Sequence, residues 1–425
     1  MEHKKTSEFT RWLVVMTASL LFFYNFIQLN MLNSITPELM KDFSIDAAQF
    51  GTLSAIYFYA NFLVLFPAGL ILDRFSTRKI ILFAMILHTI SMFVFAGAHH
   101  LFYIGLSRFF SGFGGAFAFL ACIRLATRWF PPKKMAFVTG CVVTMAMIGG
   151  VVAQTPMAVL SGYIGWRNAM TVIGLIGIVI MVLMYFVLRD HPVEYKEEKP
   201  TEENDITKLG FWKSVRIVLL NPYNWLGGLY TSLMNLPIFL LGALWGSMYL
   251  VQADRLTVVQ ASYVIAMIFL GTIFGSPLVG WISDKIRRRV FPMVIGAILS
   301  LGIILIIIYF KDLSLGYLML LFFLLGLITS TQVLSYPTIV ELNSPLVSGS
   351  ALSVISLLIM ASGFIAQPFF GWLMDLHWKH VYFHKMAIYS LQDFHLAMSI
   401  MPIAFIISLV VAFLIKETHG KAQVK

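Results

Sequence analysis

Two stretches of this chain set a carboxylate and a basic cluster behind a glycine at the same spacing. One is Gly69-Leu-Ile-Leu-Asp73-Arg74-Phe-Ser-Thr-Arg78-Lys79, the other Gly280-Trp-Ile-Ser-Asp284-Lys285-Ile-Arg287-Arg288-Arg289. A glycine lets two helices approach closely. An aspartate at a helix end can face the N-terminus of another helix, where the macrodipole and free N–H groups favour an anion. The chemistry this suggests is a latch that is made and broken. Two helix starts offer a seat: Asn343-Ser344-Pro345, a capping residue followed by a first-turn proline, and Pro131-Pro132-Lys133-Lys134. The expectation is that Asp73 latches onto the first and Asp284 onto the second. The rival is that Arg74, Arg78, Lys285 and Arg289 only set topology.

The remaining polar residues of interest stand inside apolar runs. Arg108 is the costliest, and a charge inside a membrane span is a functional hypothesis by default; the alternative is a tie from its helix to carbonyls of a neighbour. Arg124 lies 16 residues on, about 24 Å along a helix and about 160° round it, so the two cannot grip one small solute. Asn25 and Gln28 share a helix face. Asn235 precedes Pro237, which can break its helix. Thr329 to Gln332 form a polar belt with Tyr336 one turn on. Gln154 and Gln367 each follow a glycine by four residues and shortly precede a proline. For each the alternatives are a cavity lining or an inter-helix hydrogen bond worth roughly 0.6 to 2 kcal/mol. No carboxylate falls in the middle of an apolar run; a coupling proton would need Glu341, His88 or the solute itself, and a uniporter or exchanger is the alternative. His380 and His384 are four apart, with His377 nearby, a spacing that holds a metal on a helix, yet Asp375 is the sole acidic neighbour and no metal site or cofactor is expected. Nucleophile, acid pair and phosphate-binding glycine loop are absent, so neither an enzyme nor a primary pump is expected.

The elements that must position these residues are membrane spans. Of 425 residues, 59% are hydrophobic and only 12% charged, about half the charge usual in a soluble domain. The apolar residues cluster into runs long enough to cross a hydrocarbon core of about 30 Å, which takes about 20 helical residues, and backbone groups in lipid must be paired within the element. Twelve helices are predicted at 12–34, 49–71, 80–97, 101–127, 136–160, 167–188, 223–251, 258–282, 291–310, 314–340, 346–373 and 394–415, called helices 1 to 12. The polar stretch 190–221, partly helical near Phe211 to Leu220, separates an N-terminal six-helix bundle, 1–189, from a C-terminal one, 222–425. With the N-terminus in the cytoplasm, 22 of the 30 Lys and Arg lie inside and six outside, with two in helix 4. This obeys the positive-inside rule and explains the net charge of +10 without nucleic acid. Both termini are then cytoplasmic, and the first apolar run is too long for a cleaved signal. Cys122 and Cys141 read as small buried residues.

The halves repeat. Gly69, Asp73, Arg74 and Arg78 match Gly280, Asp284, Lys285 and Arg289 at an offset of 211; Gln154 matches Gln367 at 213; Tyr103 and Gly112 match Tyr317 and Gly326 at 214. Parallel halves of this kind are a transporter architecture. The two glycine–aspartate stretches resemble motif A of the major facilitator superfamily and its repeat, Arg108-Phe-Phe-Ser-Gly112-Phe-Gly114 resembles its motif B, and Gly165-Trp166-Arg167 opens helix 6 as in that family. The resemblance covers essentially the whole chain. It implies an all-α fold of two pseudo-symmetric six-helix bundles, a gating role for motif A, a part for Arg108 in anion binding or proton coupling, and a cavity lined by helices 1, 4, 7 and 10 with help from 5 and 11. The glycine–proline motif of drug antiporters is half present: Ala153-Gln154 stands in place of Gly-Pro, and Pro156 comes two residues late. The expectation is a monomeric transporter, secondary active or facilitative, of a small anionic or zwitterionic solute in a bacterial plasma membrane, its partners being the solute, lipid and a coupling proton. The alternatives are an exporter of drug-antiporter type and a sensor that binds solute without moving it.

Overall fold

A computed structural model of the chain describes residues 7–131, 134–192, 211–310, 312–344, 347–383 and 386–423. Twelve of its helices are long and apolar enough to cross a membrane, and the chain is a multi-pass membrane protein. Helices 1 to 6 are Glu8–Phe43, Ala47–Arg74, Thr77–Ala96, Leu101–Trp129, the two-part Met135–Val152 and Thr155–Ile164, and Trp166–Val187. Helices 7 to 12 are Pro222–Gln252, Val258–Ile286, Val290–Tyr309, Leu315–Glu341, Ser348–Asp375 and the two-part Leu391–Met398 and Ile400–Leu414. A linker helix, Phe211–Leu220, precedes helix 7, and a hairpin of Tyr382–Phe383 and Met386–Ala387 joins helices 11 and 12. The termini share one face, here the terminal face. The other, carrying the turn between helices 1 and 2, is the distal face.

The same packing device builds both bundles. A Cβ on Gly112 of helix 4 would lie 2.1 Å from the carbonyl oxygen of Tyr57 on helix 2. One on Gly326 of helix 10 would lie 2.0 Å from the carbonyl oxygen of Ile268 on helix 8. The backbones touch at these points, as small residues allow where lipid supplies no hydrophobic drive. Gly69 and Gly280 differ: nothing lies within 4 Å of where their Cβ would be. The close approach expected of the motif A glycines is therefore not made in this structure, because open space lies beside both of them.

Helices 5, 7 and 10 change gauge at polar or proline positions, as does helix 12 at Ser399. Helix 5 turns at Gln154, whose backbone leaves the helical region, and restarts with Pro156 in its first turn, where a missing N–H costs nothing. Helix 7 is capped at Asn235 and runs as a π-helix from Ile238 to Trp245 just after Pro237. Helix 10 tightens to a 3₁₀ turn over Ser330–Leu334, the predicted polar belt. Helix 1 runs nine residues beyond its predicted end, through Thr36 and Pro37 to Phe43, because the polar groups of Asn33, Ser34 and Thr36 are buried against protein instead of meeting lipid.

Candidate functional site

Helices 1, 3 and 4 are knotted by polar side chains at mid-depth. The Gln28 amide donates to the carbonyl of His88 at 2.7 Å, and its oxygen accepts from Ser111 and, at 2.7 Å, from His88 Nδ1. Arg108 sits beside this knot, 1% exposed. One guanidinium nitrogen donates to the Gln28 carbonyl at 2.8 Å, another to the Ser54 carbonyl at 3.2 Å, and Nε has no partner. Arg108 thus ties helix 4 to helices 1 and 2, with the Tyr57 ring 5.0 Å away. Carbonyls take two of its hydrogens but leave its net charge uncancelled, and no ion pair to it occurs among the described residues. Tyr57 in turn donates to Asn25 at 2.7 Å, and Asn61 adjoins them. A Cβ on Gly115 would strike Asn25, Tyr57 and Asn61, so bare backbone on helix 4 makes room for this trio.

In the other half, three of the sequence candidates keep unused polar groups. The side chains of Asn235 on helix 7 and of Gln332 and Tyr336 on helix 10 make no hydrogen bond to any described residue, whereas nearby Tyr230 donates to the Met293 carbonyl and Thr231 to the Gln332 carbonyl. Free donors and acceptors at the point where helices 7 and 10 lose regularity are what a solute could use.

Gln154 and Gln367 are fully buried, and the structure commits both to helix 7. Gln154 donates to the Gly242 carbonyl at 2.9 Å, and its oxygen accepts from Asn33, whose own oxygen accepts from the Ser247 N–H. Gln367 donates to the Phe239 carbonyl at 2.9 Å, and its oxygen lacks a partner. The matched glutamines therefore hold the two edges of one π-helical segment. Thr36 adds a bond to the Leu244 carbonyl, Ser262 one to Thr155, and Ala47 and Ala48 two to Tyr389 and Asp375. These bonds between the halves lie toward the distal face, which is closed.

At the terminal face the charged residues staple each half to itself. Asp190, just past helix 6, accepts from Ser76, from the N–H of Arg78 at 3.0 Å and from Arg128 at 3.4 Å, capping helix 3. Arg78 also donates to the Tyr185 carbonyl and lies over its ring. In the second half Glu417, just past helix 12, accepts from the N–H groups of Arg289 and Val290 at 2.7 and 2.9 Å, capping helix 9. Burial works against the Glu417 charge, but backbone N–H groups of Arg289, His419, Val290 and Thr418 outweigh it and hold the carboxyl below its usual range. Arg289 bridges Glu341 at 2.9 Å and Asp284 at 2.6 Å, and these two acids outweigh burial and keep it charged. Sequence reasoning did not single out either cap; the signal was a carboxylate just past the last helix of each bundle.

Asp284, largely exposed, is thus paired within its own turn; Pro132 and Lys133, in the helix 5 start it was expected to meet, lie outside the described residues. Lys285 lies over Trp281, 4.8 Å from its centroid, and Arg74 is exposed. The Asp73 side chain and Pro345, on which the other expected latch depends, lie outside the described residues. Glu341 belongs to this terminal network, away from the mid-depth groups. His384 is also outside the described residues. His380 sits in the irregular stretch between helix 11 and the hairpin, where helical spacing does not apply, and no group of three His, Cys, Asp or Glu that could hold a metal occurs among the described residues.

The profile of the Major Facilitator Superfamily matches residues 18–366 and 236–425. The Salmonella typhimurium membrane sensor protein UhpC is 25% identical over 272 residues, 60% of each chain. A probable hexose phosphate transport protein of Chlamydia trachomatis is 24% identical over 63% of each. The probable galactarate/D-glucarate transporter GarP of Escherichia coli is 23% identical over 72% of this chain and 76% of its own. The chain spans about 60% of the length of the first of these relatives. A solved bacterial homologue of the human lysosomal transporter Spinster, described as inward-facing and unoccupied, superposes with a TM-score of 0.81 at 18% identity over 96% of this chain and 97% of its own.

Proposed function

Because the chain belongs to the major facilitator superfamily, we propose that it is a secondary transporter moving a small anionic solute by alternating access. Residues 1–189 and 222–425 rock about a central pocket, tethered by 190–221. A single chain suffices, and both termini face the cytoplasm of a bacterium, where the Lys and Arg bias puts them. The structure then corresponds to the inward-facing state. Asn25, Tyr57, Asn61, Asn235, Gln332 and Tyr336 contact the solute, and motif A gates the cytoplasmic side. With no mid-span carboxylate in the sequence, a coupling proton travels on the solute.

The observation that carries the solute's charge is Arg108, buried without a counter-ion. At roughly 8 Å and an effective dielectric of about 20, an uncancelled unit charge favours an anion in the pocket by about 2 kcal/mol, about thirtyfold in affinity. The relatives named as hexose phosphate and galactarate/D-glucarate transporters support the same class. The test is flux into proteoliposomes of sugar phosphates and sugar acids against uncharged analogues. Wild type should prefer the anions by about thirtyfold, Arg108→Gln should lose most of that preference, and Arg108→Lys should keep it; equal handling of anion and neutral analogue by wild type refutes the reading. The relative named a membrane sensor supports a second reading, in which the same anion binds without flux.

A further inference from the structure

Helix 2 begins at Ala47, and two of its first N–H groups are satisfied by the other half of the molecule. The N–H of Ala48 donates to Asp375 Oδ2 at 2.6 Å, and Asp375 is the last residue of helix 11. The N–H of Ala47 donates to the Tyr389 hydroxyl at 2.9 Å, and that hydroxyl donates to Asp375 Oδ1 at 2.7 Å. The third N–H, of Gln49, is taken by Asp46 from within the first half. Just below, a Cβ on Gly371 would lie 2.3 Å from the Ala47 carbonyl oxygen, and one on Gly51 2.6 Å from that of Gln367. The backbones of helices 2 and 11 are in contact there.

Tyr389 is itself held as part of the second half. Its ring stacks on Trp378 with centroids 4.9 Å apart, and Trp378 donates to the Ile388 carbonyl. Its N–H donates to Gln252 at the end of helix 7, and Gln252 donates to the Ala387 carbonyl. The hairpin after helix 11 is thus a bracket that presents a hydroxyl beside a carboxylate.

We propose that Asp375 and Tyr389 form the lock that holds the distal face closed. A carboxylate at a helix N-terminus is favoured by the macrodipole and by charge-assisted hydrogen bonds. When the halves rock apart at this face, the first turn of helix 2 loses both partners at once. Two of the three N–H groups capped at the start of helix 2 in this state therefore depend on the opposite half, which makes that part of the cap a switch. The proposal rests on the alternating-access reading above.

The test uses the full chain in proteoliposomes with spin labels on exposed Ser44 and Lys379 at the distal face, and separately on exposed Arg74 and Ser350 at the terminal face. Double electron–electron resonance reads the distance distributions. Asp375→Asn and Tyr389→Phe should each raise the distal-open to distal-closed ratio, by roughly three- to thirtyfold as expected for an anion at a helix end, with matching closure of the terminal pair. Asp46→Asn weakens the same helix start from inside its own bundle and removes a like charge near Asp375, so it should not raise the ratio. If both faces move reciprocally in wild type but Asp375→Asn and Tyr389→Phe do not shift the ratio, or Asp46→Asn shifts it equally, the lock is overturned and alternation stands. If the two faces never move reciprocally, both are overturned. Should Asp375→Asn not fold, Tyr389→Phe, which removes one oxygen and keeps the packed ring, decides alone.

Discussion

Replacing Gly112 or Gly326 by alanine tests the packing argument at its sharpest point. Each added Cβ would lie 2.1 or 2.0 Å from a helix carbonyl oxygen, where ordinary contact begins at 3.4 Å. The obstacle is backbone, so no rotamer can relieve it, and the two helices must part by about 1 Å, which forfeits a quarter to a half of the dispersion attraction between atoms in contact. Overpacking of this sort costs typically 1 to 3 kcal/mol, and the rigid obstacle places both variants near 3 kcal/mol. The sites lie in different bundles, so the double variant should lose roughly the sum. Unfolding in detergent, read by a thiol-reactive fluorophore as buried Cys122 becomes accessible, gives the stability. Gly69→Ala and Gly280→Ala meet nothing within 4 Å and should stay within about 0.5 kcal/mol of wild type, as surface changes do. They should nonetheless slow transport, because the gap beside them closes when the terminal face closes. Gly112→Ala as stable as wild type, or Gly280→Ala as damaging as Gly326→Ala, would refute the reasoning.

Two further outcomes follow from particular bonds. Gln154→Leu strands the Asn33 amide and the Gly242 carbonyl, while Gln367→Leu strands only the Phe239 carbonyl; the first should be more destabilising, by about 1 kcal/mol, in the same unfolding assay, and equal losses would contradict the asymmetry. Asp254, beyond the end of helix 7, is pushed up to about 6 by burial and by the nearby charge of Asp312. The folded protein therefore binds more protons than the unfolded one between pH 4 and 6, so stability should fall as pH rises through that window and level off above it. Asp254→Asn should remove this slope and melt higher than wild type above pH 6, and an unchanged slope of melting temperature against pH would refute the assignment.

Much of the architecture was legible because hydrocarbon imposes a simple rule on long apolar runs. All twelve spans were placed, and the repeat offsets anticipated paired features such as Gly112 with Gly326. Helix 1 was cut short for an instructive reason. Asn33, Ser34, Thr36 and Pro37 lower the local hydropathy, yet their polar groups bond to helices 5 and 7 instead of marking an end. Hydropathy measures affinity for lipid and cannot see polar burial against protein. The candidate site shows the complementary limit. Residue type marked Gln28, Arg108, Gln154 and Gln367 as polar groups in the membrane interior, but the rotational phase of each helix decides whether such a group faces a pocket or a neighbour. All four face neighbours, while Asn235, Gln332 and Tyr336 keep free groups. Asp190 was hidden in the acidic run of the linker, and Glu417 in a short polar tail, because their capping role depends on chain ends that meet only after folding.

The distribution of bonds between and within the halves bears on what rocking would cost. At the terminal face, Asp190 closes the first bundle on itself through helices 3 and 4, and Glu417 and Glu341 close the second through helices 9 and 10. None of those bonds need break when the halves move as bodies. Among the described residues, the hydrogen bonds between the halves sit at the opposite face and, apart from the Asp375 carboxylate, join neutral groups: Gln154, Asn33, Thr36 and Tyr389 against backbone, and Ser262 against Thr155. Neutral bonds net only about 0.5 to 1.5 kcal/mol each, and water can replace them at an opening face. A transporter needs two states within a few kcal/mol of each other. Strong charge pairs confined within the bundles, with weak replaceable bonds between them, give each half rigidity without fixing the pair in one state. That division places the one charged cross-contact among the described residues, Asp375 on helix 2, at the point where a small change in binding energy moves the equilibrium most.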